Sequence, residues 1–219
     1  MKLYIFGDSI LKGVTFSGTK GRYSLVDNDY KRLTESGYEI NNLSRMGATI
    51  EYGEKIIKEE LTGEGDTVLI EYGGNDCDYI WRDVASDPKA EHSCRTLPEV
   101  FERKYRECID YARSKGARVL ISNLIPLDSE KYFDFISNGL DKNTLLGWLG
   151  DKSMLYRWQE NFSRRVEHLA EITGEELVDL RGAFLLSHEF GELLSADGIH
   201  PTEKGHRLIC DTVTKAIIG

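Results

Sequence analysis

Residues 67–76 read Thr-Val-Leu-Ile-Glu-Tyr-Gly-Gly-Asn-Asp, the most apolar strand-like run in the chain, closed by paired glycines and two turn-forming polar residues. Four further short runs of the same kind lie around it, at 2–7 (KLYIFG), 38–43 (YEINNL), 117–123 (ARVLISN) and 176–179 (ELVD). Helix-period segments at 25–36, 49–62, 96–115, 152–173 and 202–217 separate or follow them. Strands alternating with helices predict an α/β fold with a largely parallel sheet. In the second helix Thr49 is placed to cap, Ile50, Ile56, Ile57 and Leu61 make an apolar stripe, and Gly63 ends it, as Gly116 ends the third.

Working outward, no repeat or linker interrupts this order, so residues 1–219 are expected to form a single domain. Two stretches break the alternation. Residues 77–95 follow a strand and read as loop, and 128–151 are irregular and aromatic-rich. Such long connections are often binding loops or lids. The alternative for the aromatic-rich stretch is a helical hairpin packed on the sheet, with Trp148 and Trp158 as its core.

Composition removes several classes of function. With 40% hydrophobic and 30% charged residues and only 4 prolines, the 219-residue chain is globular and not low-complexity. Its net charge of −9 would repel a phosphate backbone, and no basic stripe offsets that, so nucleic acid is not an expected partner. Residues 1–8 are too short an apolar run for a signal segment, and no stretch reaches the ~18–20 apolar residues of a membrane span. Cys77, Cys94, Cys108 and Cys210 contain no C-x-x-C pair. A reduced, cytoplasmic protein with free thiols is expected.

Four segments carry residues suited to chemistry. Gly7-Asp8-Ser9 delivers Ser9 to the end of the first strand, where open α/β sheets meet ligands. It is not the G-x-S-x-G elbow of α/β-hydrolases, because Leu11 stands where glycine is needed. Asp197-Gly198-Ile199-His200-Pro201 places a carboxylate three residues before an imidazole, which suits an orienting acid and a general base. Gly73-Gly74-Asn75-Asp76 supplies an amide donor of the type that stabilises an oxyanion. Gly47 leads into a helix, with its N–H open to the same region. Taken singly, each of these also reads as an ordinary turn or surface residue.

Together, GDS at 7–9, Gly47, GGND at 73–76 and DGIHP at 197–201 resemble the four blocks of the SGNH hydrolases, also called the GDSL esterase/lipase family. The resemblance spans the chain. It implies a flavodoxin-like three-layer α/β/α sandwich with a five-stranded parallel sheet. It further implies Ser9 as nucleophile, His200 as base and Asp197 as its acid, with the Ser9 N–H, the Gly47 N–H and the Asn75 side chain as oxyanion donors. The stretches 77–95 and 128–151 match no family block, so they are expected to set substrate range. Asp8, Trp81 and Trp148 are the candidate substrate contacts, and Trp158 is expected mainly to pack.

Among the remaining residues, Asp8 and Asp76 are expected to fix their loops by accepting backbone N–H bonds. His206 reads as a helix residue with a local partner. His92, His168 and His188 show no metal spacing, so neither metal nor cofactor is expected. Glu71 is odd in an apolar strand, and Arg45 is its expected partner. The activity expected is hydrolysis of a small soluble carboxylic ester through an acyl-enzyme, first among them short-acyl esters such as O-acetyl sugars. A lysophospholipase, an acyl-thioesterase and an inactive binding module of the same fold are the alternatives.

Overall fold

A computed structural model describes residues 1–61 and 65–219. Gly63, the expected end of the second helix, lies outside the described residues. The chain runs β1 (Lys2–Gly7), α1 (Ser9–Lys12), β2 (Val14–Ser17), β3 (Arg22–Leu25), α2 (Lys31–Glu35), β4 (Glu39–Asn42), α3 (Ile50–Glu60), β5 (Thr67–Glu71) and α4 (Trp81–Ser86). It continues through α5 (Pro98–Ser114), β6 (Arg118–Ser122), α6 (Ser129–Ile136), α7 (Lys142–Leu149), α8 (Ser153–Thr173), β7 (Glu176–Val178), α9 (Leu180–Leu185), α10 (Phe190–Leu193) and α11 (Glu203–Ile218).

The five expected strands form one parallel sheet in the order β4-β1-β5-β6-β7. Register sends alternate side chains to opposite faces. Tyr4, Phe6, Val68, Ile70, Val119 and Ile121 meet Ile50 and Ile57 of α3, Phe101 and Tyr105 of α5, and Phe162 of α8. Leu3, Ile5, Leu69 and Leu120 meet Leu33 of α2, Phe184 of α9, and Ile209 and Val213 of α11. Both faces are thus sealed, which gives the flavodoxin-like three-layer sandwich. At ~1.5–3 kcal/mol per fully buried large apolar side chain, these two layers hold the domain together. Strand order reverses between β1 and β5, and a ligand crevice opens beyond the carboxyl ends of strands at such a point.

Three segments differ from expectation. The helix expected over 25–36 shortens to α2, and an antiparallel hairpin, β2–β3, precedes it with Phe16 opposite Tyr23. The stretch 77–95 is not all loop, because α4 forms within it. The stretch 128–151 folds as the helical alternative, α6 followed by α7. Asp128 and Asp141 cap these two helices by accepting backbone N–H bonds. Leu127, Phe133, Leu145, Leu149 and Leu155, with Val84 of α4, form a third small core above the sheet edge. Thr49 occupies the cap position of α3 without a side-chain bond. The Asp76 carboxylate takes over, accepting from Ile50 N at 3.0 and 3.2 Å.

All four cysteines are free and buried, three against the α3/α5/α8 face and Cys210 against the other. Among the described residues no helix is long and apolar enough to cross a membrane.

Candidate active site

Ser9 is the first residue of α1, presented by the turn after β1. Its Oγ lies 2.9 Å from His200 Nε2, and His200 Nδ1 lies 2.6 Å from Asp197 Oδ2. Asp197 is wholly buried, and its Oδ1 accepts the N–H groups of Ile199 and His200 at 3.2 and 3.1 Å. That carboxylate therefore shapes the loop as well as holding the ring. With Nδ1–H donated to Asp197, the Nε2 lone pair faces the Ser9 hydroxyl, and this arrangement can move a proton from Ser9 to His200. Gly198 has φ +77, and a Cβ there would lie 2.6 Å from the Asp128 carbonyl oxygen. Only glycine lets the loop seat on the start of α6, where Asp128 N donates to Gly198 O at 2.8 Å.

Gly47 and Asn75 come to the same point. Gly47 has φ +75 with open space where a Cβ would stand, so the turn itself requires the glycine. Asn75 Nδ2 donates to Asp8 Oδ2 at 2.9 Å and to Ala48 O at 3.1 Å. Asp8 Oδ1 accepts Ile10 N at 2.8 Å, so Asp8 does fix its turn, although it also borders the cavity. Arg45 does not pair with Glu71. Its guanidinium lies over the Tyr52 ring, 4.9 Å from the centroid, and the group facing Glu71 is Asp8. Burial, then the Asp8 charge, holds the Glu71 carboxyl well above its ordinary range. Burial likewise raises Asp8, against the Ile10 N–H bond and the charge of His200. Asp76 is pushed up to about 6 by burial, with hydrogen bonds from the Thr96 hydroxyl and from Ile50 N–H opposing.

A cavity of about 250 Å³ opens beside Ser9 and His200. Tyr79, Trp81, Trp148 and Trp158 form one wall, and Leu124, Ile125, Leu127, Leu149, Met154 and Leu155 contribute aliphatic surface. Trp148 meets Tyr79 and Trp81 edge-on, with ring centres 5.1 and 6.1 Å apart. Trp81 and Trp148, the expected substrate contacts, both border this cavity. Trp158 both packs, on Phe162, and borders the cavity, with Nε1 donating to Cys77 O at 2.9 Å. The floor is pinned from below: Gln159 Nε2 donates to Ile125 O at 2.7 Å, and buried Arg181 donates to Leu124 O at 3.1 Å.

Sequence reasoning missed two contributors. Asp78 Oδ1 accepts both Trp81 Nε1 at 2.9 Å and Tyr132 OH at 2.7 Å, which ties α4 to α6 across the cavity. Tyr23 of the hairpin sets its ring edge-on to His200, 5.2 Å between centres. The hairpin is fastened to the His200 loop by Thr15 Oγ1 and Ser195 Oγ at 2.9 Å, and His206 Nε2 lies 2.9 Å from Val14 O. Two β-branched or aromatic runs around Gly18-Thr19-Lys20-Gly21 were the signal for that hairpin. Among the described residues, no lysine or arginine borders the cavity and no three His, Cys, Asp or Glu side chains are grouped to hold a metal.

Residues 5–208 match the profile of the GDSL-like Lipase/Acylhydrolase family, and the chain belongs to that family. Ester hydrolysis is the chemistry this membership supports. Among solved structures, the chain is similar to a lipase/acylhydrolase from Enterococcus faecalis, with TM-score 0.67, 18% identity, and coverage of 99% of this chain and 94% of that one. It is also similar to an acetyl xylan esterase from Geobacillus stearothermophilus, with TM-score 0.70, 18% identity, and coverage of 99% and 94%. A third is TesA, with TM-score 0.62, 23% identity, and coverage of 100% and 98%. These likenesses show the shared fold. No curated protein is significantly similar in sequence.

Proposed function

We propose that the protein is a serine esterase acting on small esters with an apolar acyl group of short to medium length. The observation that carries this reading is the Ser9–His200–Asp197 hydrogen-bonded chain opening directly into an aromatic and aliphatic cavity. Ser9 Oγ attacks the ester carbonyl carbon while its proton passes to His200 Nε2, and Asp197 stabilises the imidazolium. The Ser9 and Gly47 N–H groups and Asn75 Nδ2 receive the oxyanion. Collapse expels the alcohol, which takes the proton from His200, and water then releases the acid by the same steps. Because both Asn75 N–H bonds are engaged, the 3.1 Å bond to Ala48 O yields to the oxyanion and the 2.9 Å bond to Asp8 remains.

Cavity size supports the acyl range. A cavity of about 250 Å³ is far roomier than the single methyl that an acetyl ester offers beyond its carbonyl. The lack of cationic lining disfavours a phosphate inside the cavity. A p-nitrophenyl ester series from acetate to palmitate, run with a fluorophosphonate probe, tests the reading. Turnover should peak between butyrate and octanoate, and probe labelling should vanish in Ser9→Ala. Labelling that persists in that variant, or turnover that rises steadily to palmitate, would overturn it.

A further inference from the structure

Glu71 borders the cavity beneath Ser9 and has no part in the reaction scheme. It ends β5, is 2% exposed, and is in register with Gly7. A Cβ at Gly7 would lie 3.2 Å from Glu71 Oε2 and 3.2 Å from Ser44 Oγ. The glycine thus keeps open a slot through which the Glu71 carboxyl reaches the turn that presents Ser9. There Oε2 accepts Asp8 N at 3.4 Å, which sets the Glu71 carboxyl against Asp8, whose own carboxyl is equally buried.

A bond between two carboxyls requires a proton on one of them, since a carboxylate has none to donate. Keeping both ionised would also bury two neighbouring like charges with no cation among the described residues hydrogen-bonded to either. No lysine or arginine is among the groups acting most strongly on either side chain. The groups that face the pair are Asp76 after β5, Tyr72, Tyr105 of α5, Ser44 after β4, and His200 across the site. Asp8 has the donors: Ile10 N on Oδ1 at 2.8 Å and Asn75 Nδ2 on Oδ2 at 2.9 Å. Glu71 has one long backbone bond and the Asp76 charge against it. The donor geometry therefore favours the proton on Glu71 and the negative charge on Asp8.

We propose that Glu71 is a positioning residue for the hydrolysis, its protonated carboxyl donating to Asp8 so that the anchored Asp8 anion holds one Asn75 N–H and leaves the other to turn toward the oxyanion. This rests on the serine esterase reading.

Glu71→Gln keeps a neutral donor of the same shape, and Glu71→Leu removes it. Each is followed by kcat and KM on p-nitrophenyl butyrate across pH, by melting temperature, and by infrared spectra of the protein. Raising pH strips the proton from Glu71 in the wild type, so kcat should decline on the alkaline side. Glu71→Gln should keep kcat within ~3-fold of wild type at neutral pH and lose that alkaline decline. Glu71→Leu should lose ~10-fold or more in kcat with little change in KM, less than the ~10²–10³ of removing an oxyanion donor outright. The C=O stretch of a protonated carboxylic acid should be present in wild type at neutral pH and absent from Glu71→Gln. Should Glu71→Leu fail to fold, the alkaline limb of Glu71→Gln decides.

Superimposable pH profiles for wild type and Glu71→Gln, or the same infrared band in both, would overturn the proposal. A wild-type protein that turns over no ester and takes no probe at Ser9 would instead remove the esterase reading. The infrared band would then still report whether the proton is there.

Discussion

Asn75 has an amide with two protons and three claims on them: Asp8, the Ala48 carbonyl and, in the proposed reaction, the oxyanion. Only the last is new in the transition state, so its loss belongs to kcat. Asn75→Ala should lower kcat by ~10²–10³ and change KM much less. Steady-state kinetics on one ester check this, and a pure KM effect would make Asn75 a ground-state contact. At this scale Ser9, Asn75, Asp197 and His200 each read singly as ordinary turn or surface residues, and only the joint resemblance of the four blocks pointed to them as one group, which the structure brings together. The sequence was misleading for Glu71. Its partner is set by the pairing of Gly7 with Glu71 across two strands far apart in the chain, and not by which oppositely charged residue lies in a nearby loop.

At the scale of elements, the cavity depends on how α4 and α6 are spliced together by Asp78. Trp81 is held by a hydrogen bond as well as by packing, so its ring is a fixed wall. Trp81→Ala should raise the ratio of kcat/KM for decanoate over butyrate, because the vacated volume lies along the acyl path. Asp78→Ala should blur chain-length preference in the same direction by freeing both Trp81 and Tyr132. Melting temperatures measured alongside separate this from general loosening, and an unchanged ratio in both variants would place the acyl group elsewhere.

The sheet strands were legible to within a residue or two because their apolar runs are nearly unbroken. The β2–β3 hairpin and α4 were not, and α6 and α7 were legible only as the helical alternative for 128–151, without their bounds. Their apolar residues face the cavity or one another rather than the sheet, and β3 is exposed along its length, so no long period marks them.

For the whole molecule, the buried carboxyls tie stability to pH in an unusual direction. Asp76 has a folded value of about 6 against an ordinary 3.8, so the folded state binds the proton more tightly. Its contribution is fullest below pH ~4 and is lost as pH rises toward 6, by on the order of 3 kcal/mol. Glu71, raised in the same sense, extends the loss to higher pH. Asp76→Asn retains an acceptor for Ile50 N and escapes the penalty. Its melting temperature relative to wild type should therefore climb between pH 4 and 6 and level off above. Paired thermal melts check this, and a flat difference would mean that Asp76 titrates at its ordinary value.

The four buried cysteines give the molecule a built-in clock. Burial holds Cys108 up to about 12 and Cys210 up to about 11, and raises Cys77 and Cys94 as well. Thiolate is the reactive form, so an alkylating reagent finds almost none in the folded protein at neutral pH. Each thiol reports a different region: Cys108 on α5, Cys210 on α11, and Cys77 and Cys94 in the segments bracketing α4. Brief pulses of iodoacetamide in rising urea, read by mass spectrometry of peptides, should modify Cys77 and Cys94 at lower denaturant than Cys108 and Cys210. The cavity wall would then come apart before the sheet does, and the order in which the four sulfurs become reactive would date each step.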